Sequence, residues 1–271
     1  MIDSSLFGVD IPAGTYAVGD MVQLKAVSGP ANVRSGRGAA FLKRITTGTL
    51  LNASGSDSLW YVHVKNSDWI DPTISITASL REPTVLDEKN GCNQRGHDCP
   101  LTPNSAWEVY AVCARATTTT VANSVYALID VDYPSVSSII DPDTLPGIPA
   151  SIKDERASTT TNAAGTLTTA SFEVHNVDIF KAGFEYALEK IESTGSPGYC
   201  GFISISNAAG MSGLKRIIPT VTSSQNIKSK IEYASKLVKG PMDIGYLLFD
   251  PAGTGGTTTA ETVLDFVKRR V

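Results

Sequence analysis

Histidine, cysteine and charge are all scarce in this chain. Three histidines and four cysteines are spread over 271 residues, and only 18% of positions are Asp, Glu, Lys or Arg. No Ser–His–Asp order, no pair of catalytic carboxylates and no HExxH segment can be assembled from them. Four cysteines, at 92, 99, 113 and 200, are too few for a disulfide scaffold in a chain this size. Basic residues are dispersed and the net charge is −4, so no specific nucleic-acid partner is expected. No apolar run approaches the roughly 18 residues of a membrane span. The opening MIDSSLFGVD lacks the basic and apolar blocks of a secretory signal. Synthesis in a cytosol, with no membrane partner, is the expectation.

What is present is a globular composition, 42% apolar, with a weakly charged surface rich in Ser and Thr. Such a surface suits a chain packed among other chains, and it suits many monomers as well. Up to about Ser135 the sequence reads as all-β. Residues 21–27 alternate, with Val22, Leu24 and Ala26 on one face. Strands follow at 39–47, at 59–65 with Trp60, Val62 and Val64 on one face, and at 74–78. The strongest candidates are 107–114 and 125–131, rich in β-branched and aromatic residues and bounded by turn residues. Short strands with Gly, Pro, Asn and Asp turns predict a β-sandwich or jelly roll.

A Pro/Ser/Thr-rich stretch then intervenes: DPDTLPGIP at 141–149 and ASTTTNAAGTLTTAS at 157–171. The second part has little to bury and is expected to be exposed or mobile. Beyond it the period changes. Phe180, Phe184, Ala187, Leu188 and Ile191 fall at helical spacing, so a helix is predicted over 177–193, with Asn176 as cap. Ile227, Ile231, Ala234 and Val238 predict a second helix over 226–239, capped by Ser223 or Ser224. Thr258 and Glu261 form a capping-box pattern that opens a last helix to Arg270. Strands are expected at 172–175, 199–206, 214–221 and 243–249. The order β-α-β-β-α-β-α predicts an α+β, ferredoxin-like (βαββαβ) domain with a C-terminal helix. The expected organisation is a β-sandwich domain at 1–140, a linker at 141–171 and an α+β domain at 172–271.

Chemistry-bearing clusters are few. Cys92, His97 and Cys99 could hold zinc with Cys113 as a fourth ligand, or Cys92 and Cys99 could form a disulfide. The remaining reading is a polar hairpin insertion with two unrelated thiols, so no metal is assigned. The Gly36-Arg37-Gly38 turn and the GTGG at 253–256 lack the lysine of a phosphate loop and read as flexible turns. His63 and His175 stand alone on predicted strands, and Trp60, Trp69 and Trp107 read as sandwich core or rim. No cofactor and no catalytic residue is assigned.

One resemblance covers about residues 1–135. The stretch AGTYAVGDMVQLKAVSGPANVRSGRGAAFLKRITTGT resembles the start of a family of tailed-phage virion proteins, small β-sandwich proteins of the capsid-decoration and head-protein type. Thr15, Tyr16, Gly19, Asp20 and Val22 match its first turn and strand. Val33, Arg34, Gly36, Gly38, Leu42 and Ile45 match its second turn and the strand after it. WEVYAVCARATTTTVANSVYALIDV is similar to its closing strands through Val109, Tyr110, Val112, Arg115 and Thr117. SLWYVHV aligns loosely with its middle, residues 81–104 depart from it as an insertion, and the second half has no counterpart in it. The resemblance implies a non-enzymatic, jelly-roll-like virion structural protein, made in the host cytoplasm and placed on the capsid surface. It would act as a decoration or cement protein bound to the major capsid protein and other virion proteins, and form homo-oligomers. The alternative is a host- or carbohydrate-binding module of a tail or fibre.

Overall fold

The computed structural model describes residues 2–50, 60–67, 73–75, 84–87, 100–119, 123–133, 148–155, 159–163, 165–180, 184–195, 200–207, 215–221, 227–229, 235–239, 242–250, 256–258 and 260–270. Its strands in the first half are β1 (Ile2–Ile11), β2 (Gly14–Tyr16), β3 (Met21–Ser28), β4 (Ala40–Leu50), β5 (Trp60–Asn66), β6 (Thr73–Ser75), β7 (Thr84–Asp87), β8 (Pro100–Leu101), β9 (Trp107–Cys113), β10 (Thr117–Thr119) and β11 (Asn123–Asp132). The second half holds β12 (Ile148–Glu155), β13 (Thr159–Ala163), β14 (Glu173–Phe180), β15 (Phe184–Gly195), β16 (Cys200–Asn207), β17 (Lys215–Val221), β18 (Ile227–Ser229), β19 (Ser235–Lys239), β20 (Met242–Asp250), β21 (Gly256–Thr258) and β22 (Ala260–Arg270).

The first half is a curled antiparallel sheet in the order β6-β5-β9-β3-β1-β11-β4-β7, with β8 on β4, and a small separate sheet of β2 and β10. Strand β3 turns the corner. Its first residues pair with β9, from Met21 opposite Val112, and its last pair with β1 across a register shift between Leu6 and Phe7. The two wings of the curl close on a core that includes Trp60, Val62 and Val64 from β5 and Ile45, Ala127 and Ile129 from the opposite wing. This layering is consistent with the sandwich expectation.

Strand β1, unpredicted from the sequence, is central and pairs with β11 from Ile2–Asp132 to Ile11–Asn123. The period of two sends Phe7 and Ile11 of β1, and Val125, Ala127, Ile129 and Val131 of β11, into that core. The alternate residues Leu6, Tyr126 and Leu128 enter a second core with Leu167, Phe202, Ile217, Leu247 and Phe249. The sheet is thus buried on both faces, which is why β11 reads VYALIDV without polar alternation. On this back face Ser4, Asp130 and Arg44 lie side by side in register. Ser4 Oγ donates to Asp130 Oδ1 at 2.6 Å, and Arg44 Nε and Nη2 each lie 3.0 Å from Asp130 Oδ2. The buried carboxylate is matched in charge and hydrogen bonding, as burial of such a group requires.

The fold class of the second half corrects the sequence reading. Among its described residues there is no helix. Two sheets form instead: β17-β16-β20-β13-β21 with β14 on β20, and β12-β22-β15-β18 with β19 also on β15. Where the predicted helix over 177–193 is described it is the end of β14 and most of β15; the described part of the one over 226–239 is β18 and β19; the last is β22. Register explains the first error. Leu188 pairs with Phe266, Lys190 with Asp265 and Ile191 with Leu264, so one extra residue is inserted at Glu189. That bulge places Leu188 and Ile191 opposite alternate residues of β22, on one face of the sheet, although they are three apart in sequence. The same spacing mimics a helical stripe. Pairing of β22 with both β12 and β15 then overrides local helical preference. The expected strands of this half correspond to β14, β16, β17 and β20. The predicted linker contains β12 and β13, and its Leu167 is fully buried.

Candidate functional surface

Two turns of the first half carry the family-like pattern, and both are held by specific bonds. In the β2–β3 turn Gly19 has a φ of 92°, open to glycine without strain. Its N–H donates to the Cys113 carbonyl at 2.8 Å, and the Cys113 N–H donates to the Asp20 carbonyl at 2.9 Å. Asp20 Oδ2 accepts the Ala17 N–H at 2.8 Å, closing the turn from inside. Tyr16 stands edge-on to Trp60 with centroids 5.2 Å apart, and its hydroxyl donates to the Pro12 carbonyl at 2.6 Å. Burial, and then the charge of Asp20, raise the Tyr16 phenol above its ordinary value. Val18 and Met21 project beside the turn, 67% and 54% exposed, an apolar tip on an otherwise polar loop.

The second turn follows β3. Val33 is buried; its N–H donates to the Ser105 carbonyl at 2.9 Å and its carbonyl accepts from Asn104 N–H at 2.8 Å. Arg34 pairs through Nε with Oδ2 of buried Asp3, and its backbone N–H donates to the Tyr133 hydroxyl at 2.8 Å. Burial raises the Tyr133 phenol, against the opposing pull of the Arg34 N–H. An open groove of about 400 Å³ runs beside these groups, lined by Pro30, Asn32, Arg34, Ser35, Arg37 and Asn104 among others. Gly36 and Gly38, next in sequence to its lining residues, are exposed.

Asp3 also reaches the second half, where its Oδ1 accepts the Lys215 N–H at 2.9 Å. Lys215 Nζ donates to Ser28 Oγ at 2.8 Å and lies 4.4 Å from the Phe172 ring centroid. Burial lowers the Lys215 ammonium below its ordinary value. Asp3 and Lys215 carry no signal in the sequence, because their pairing joins positions 212 residues apart.

None of the described chemistry-bearing candidates lines the groove beside Arg34 apart from Arg37 of the Gly36-Arg37-Gly38 turn. Cys92, His97 and Cys99 lie outside the described residues, as does Trp69. Cys113, the proposed fourth ligand, is buried inside β9 and its Sγ donates to the Arg115 carbonyl at 3.0 Å. Among the described residues no group of three His, Cys, Asp or Glu is placed to hold a metal ion. His63 is half-buried in β5, opposite Tyr110, and His175 sits in β14 opposite Ile244. Gly256 begins β21; positions 253–255 lie outside the described residues. Trp60 and Trp107 belong to the core of the curled sheet.

No protein family matches the chain, and no curated protein matches it. Among solved structures it is similar to the crystal structure of PBSX exported protein XepA, at 10% identity and a TM-score of 0.24, over 95% of this chain and 86% of that one. A likeness of that size carries neither fold nor function across.

Proposed function

We propose that the protein is a non-enzymatic structural component of a tailed-phage particle, most specifically a decoration or cement protein of the head shell. The reading is supported by what the residues of the family-like pattern do. Tyr16, Gly19 and Asp20 build the first turn, Val33 and Arg34 anchor the second, and Leu42, Ile45 and Val109 fill the core. They are spent on holding loops at the rim of a rigid sheet, which is the task of a binding scaffold. The surfaces offered to neighbours are the apolar tip at Val18 and Met21 and the groove beside Arg34. Partners on this reading are the major capsid protein, other virion proteins and further copies of the chain. A partner that binds only the assembled shell stabilises it by mass action. Each contact would bury about 800 Å² per partner.

Locating the chain in purified particles tests this. Regular copies on the head, and particles that lose heat resistance without them, are expected. A position confined to the tail tip would transfer the protein to the host- or carbohydrate-binding class. Presence in infected cells but never in particles would end both readings.

A further inference from the structure

We infer that residues 165–170 form a releasable latch that ties the second half to the back face of the first. The receiving site is built from one patch of the β1–β11 pair. Gly8 lies opposite Tyr126 and Asp10 opposite Ser124. Gly8 leaves a notch: a Cβ there would stand 2.5 Å from Leu167 Cδ2 and 2.9 Å from Leu167 Cγ. Leu167 fills that notch and is fully buried, in contact with the core that contains Leu6, Tyr126 and Leu128.

Asp10 gathers the polar groups around the plug. Its Oδ1 accepts the Leu167 N–H at 2.9 Å and the Ser124 hydroxyl at 2.5 Å. Its Oδ2 accepts the Thr168 N–H at 2.9 Å and the Thr168 hydroxyl at 2.5 Å. Ser124 Oγ in turn accepts the Gly165 N–H at 3.1 Å. Both carboxylate oxygens are therefore committed to one turn and one neighbouring hydroxyl.

Two features make the latch separable from the fold on either side. The turn is closed by its own bonds, with the Ala170 and Thr169 N–H groups donating to the Thr166 carbonyl at 3.0 and 3.2 Å. It can leave the notch without losing its shape. The β1–β11 ladder beneath it is complete without it, from Ile2 to Ile11. Leu167 with half-buried Ala170, the Asp10 carboxylate and the Ser124 hydroxyl hold the segment, while Thr168 and Thr169 stay exposed. A unit with so few buried contacts opens before the strands it covers. The inference is independent of the virion reading.

Hydrogen exchange on the full chain tests it. Asn in place of Asp10 supplies one acceptor oxygen where the turn and Ser124 use two, and it adds no bulk. In Asp10→Asn, amides of 165–170 are expected to exchange about tenfold faster or more, while those of β1 and β11 keep their protection. Leu167→Ala should do the same and speed proteolytic cutting within 156–171. Unchanged exchange at 165–170 in Asp10→Asn would overturn the latch. So would equal acceleration in the turn, β1 and β11 in both variants, since the segment would then open only with the whole molecule.

Discussion

At the scale of single residues, the buried ion pair sets the sharpest expectation. Asp130 is enclosed with Arg44 and Ser4, so Arg44→Ala leaves a carboxylate buried beside one hydroxyl. Loss of a buried partner costs about 3–5 kcal/mol, which chemical denaturation will read directly. A loss below about 1 kcal/mol, the scale of an exposed pair, would mean that water reaches Asp130. Lys215 gives a pH dependence of definite sign. Burial lowers its folded-state pKa, so between that value and 10.5 the unfolded chain holds more protons than the folded one. Stability contributed by this site therefore rises with pH across that window. The Tyr16 and Tyr133 phenols act oppositely: their folded-state values are raised, and stability falls once pH passes 10. Replacing Lys215 by Met should flatten the rise below about pH 10 and leave the alkaline fall intact. A pH profile identical to that of the unsubstituted chain removes Lys215 from the account.

At the scale of elements, the sheets show how edges are handled. Among the described residues β17 pairs only with β16, and β12 only with β22, and these two strands carry Pro219 and Pro149. Proline withholds a ladder N–H, so an edge that contains it is a poor template for another strand. Pro219→Thr should produce concentration-dependent species absent from the unsubstituted chain, visible by sedimentation velocity. Identical sedimentation across the concentration range would show that β17 is guarded by something other than its proline. The bulge at Glu189 makes a second test at this scale. Its deletion would make Leu188 and Lys190 neighbours opposite Phe266 and Asp265, closing the bulge while residues 190–195 keep their partners and faces on β22, so the deleted chain should fold to the same sheet by circular dichroism. The turns and alternating strands 21–28 and 107–113 were legible in the sequence, because each carries its signal within a few consecutive residues. The β15 segment was not, because apolar residues at 184, 188 and 191 satisfy a helix and a bulged strand equally.

At the scale of the whole molecule, the two halves meet through a shared core. Leu6, Tyr126 and Leu128 face Phe202, Ile217, Leu247 and Phe249, with Tyr126 edge-on to Phe202 at 4.9 Å. The opposite side of the second-half sheet carries Ile203, Ile205, Ile218, Ile244, Tyr246 and Leu248, also buried. A fragment of residues 1–140 would leave Leu6, Tyr126 and Leu128 uncovered. It should keep a shielded Trp60 but bind a hydrophobic dye that the full chain does not. A fragment that binds no dye would show that the first half closes its own back face. Leu128→Ala in the full chain is expected to cost about 2–5 kcal/mol and to weaken both halves together.

Local order accounts for what the sequence determined alone: the β character of the first half, its glycine–aspartate turns, and the scarcity of groups from which a catalytic site could be assembled. Each of these rests on neighbours in the chain or on composition. Tertiary structure alone decided that β1 is central, that β11 is covered on both faces, and that the second half forms strands where helices were predicted. It also decided that Asp3 meets both Arg34 and Lys215, and that Asp10 meets the turn at Leu167. The physical reason is common to all of them. A strand satisfies its backbone only through a partner, and the partner lies tens to hundreds of residues away, beyond the reach of any local pattern.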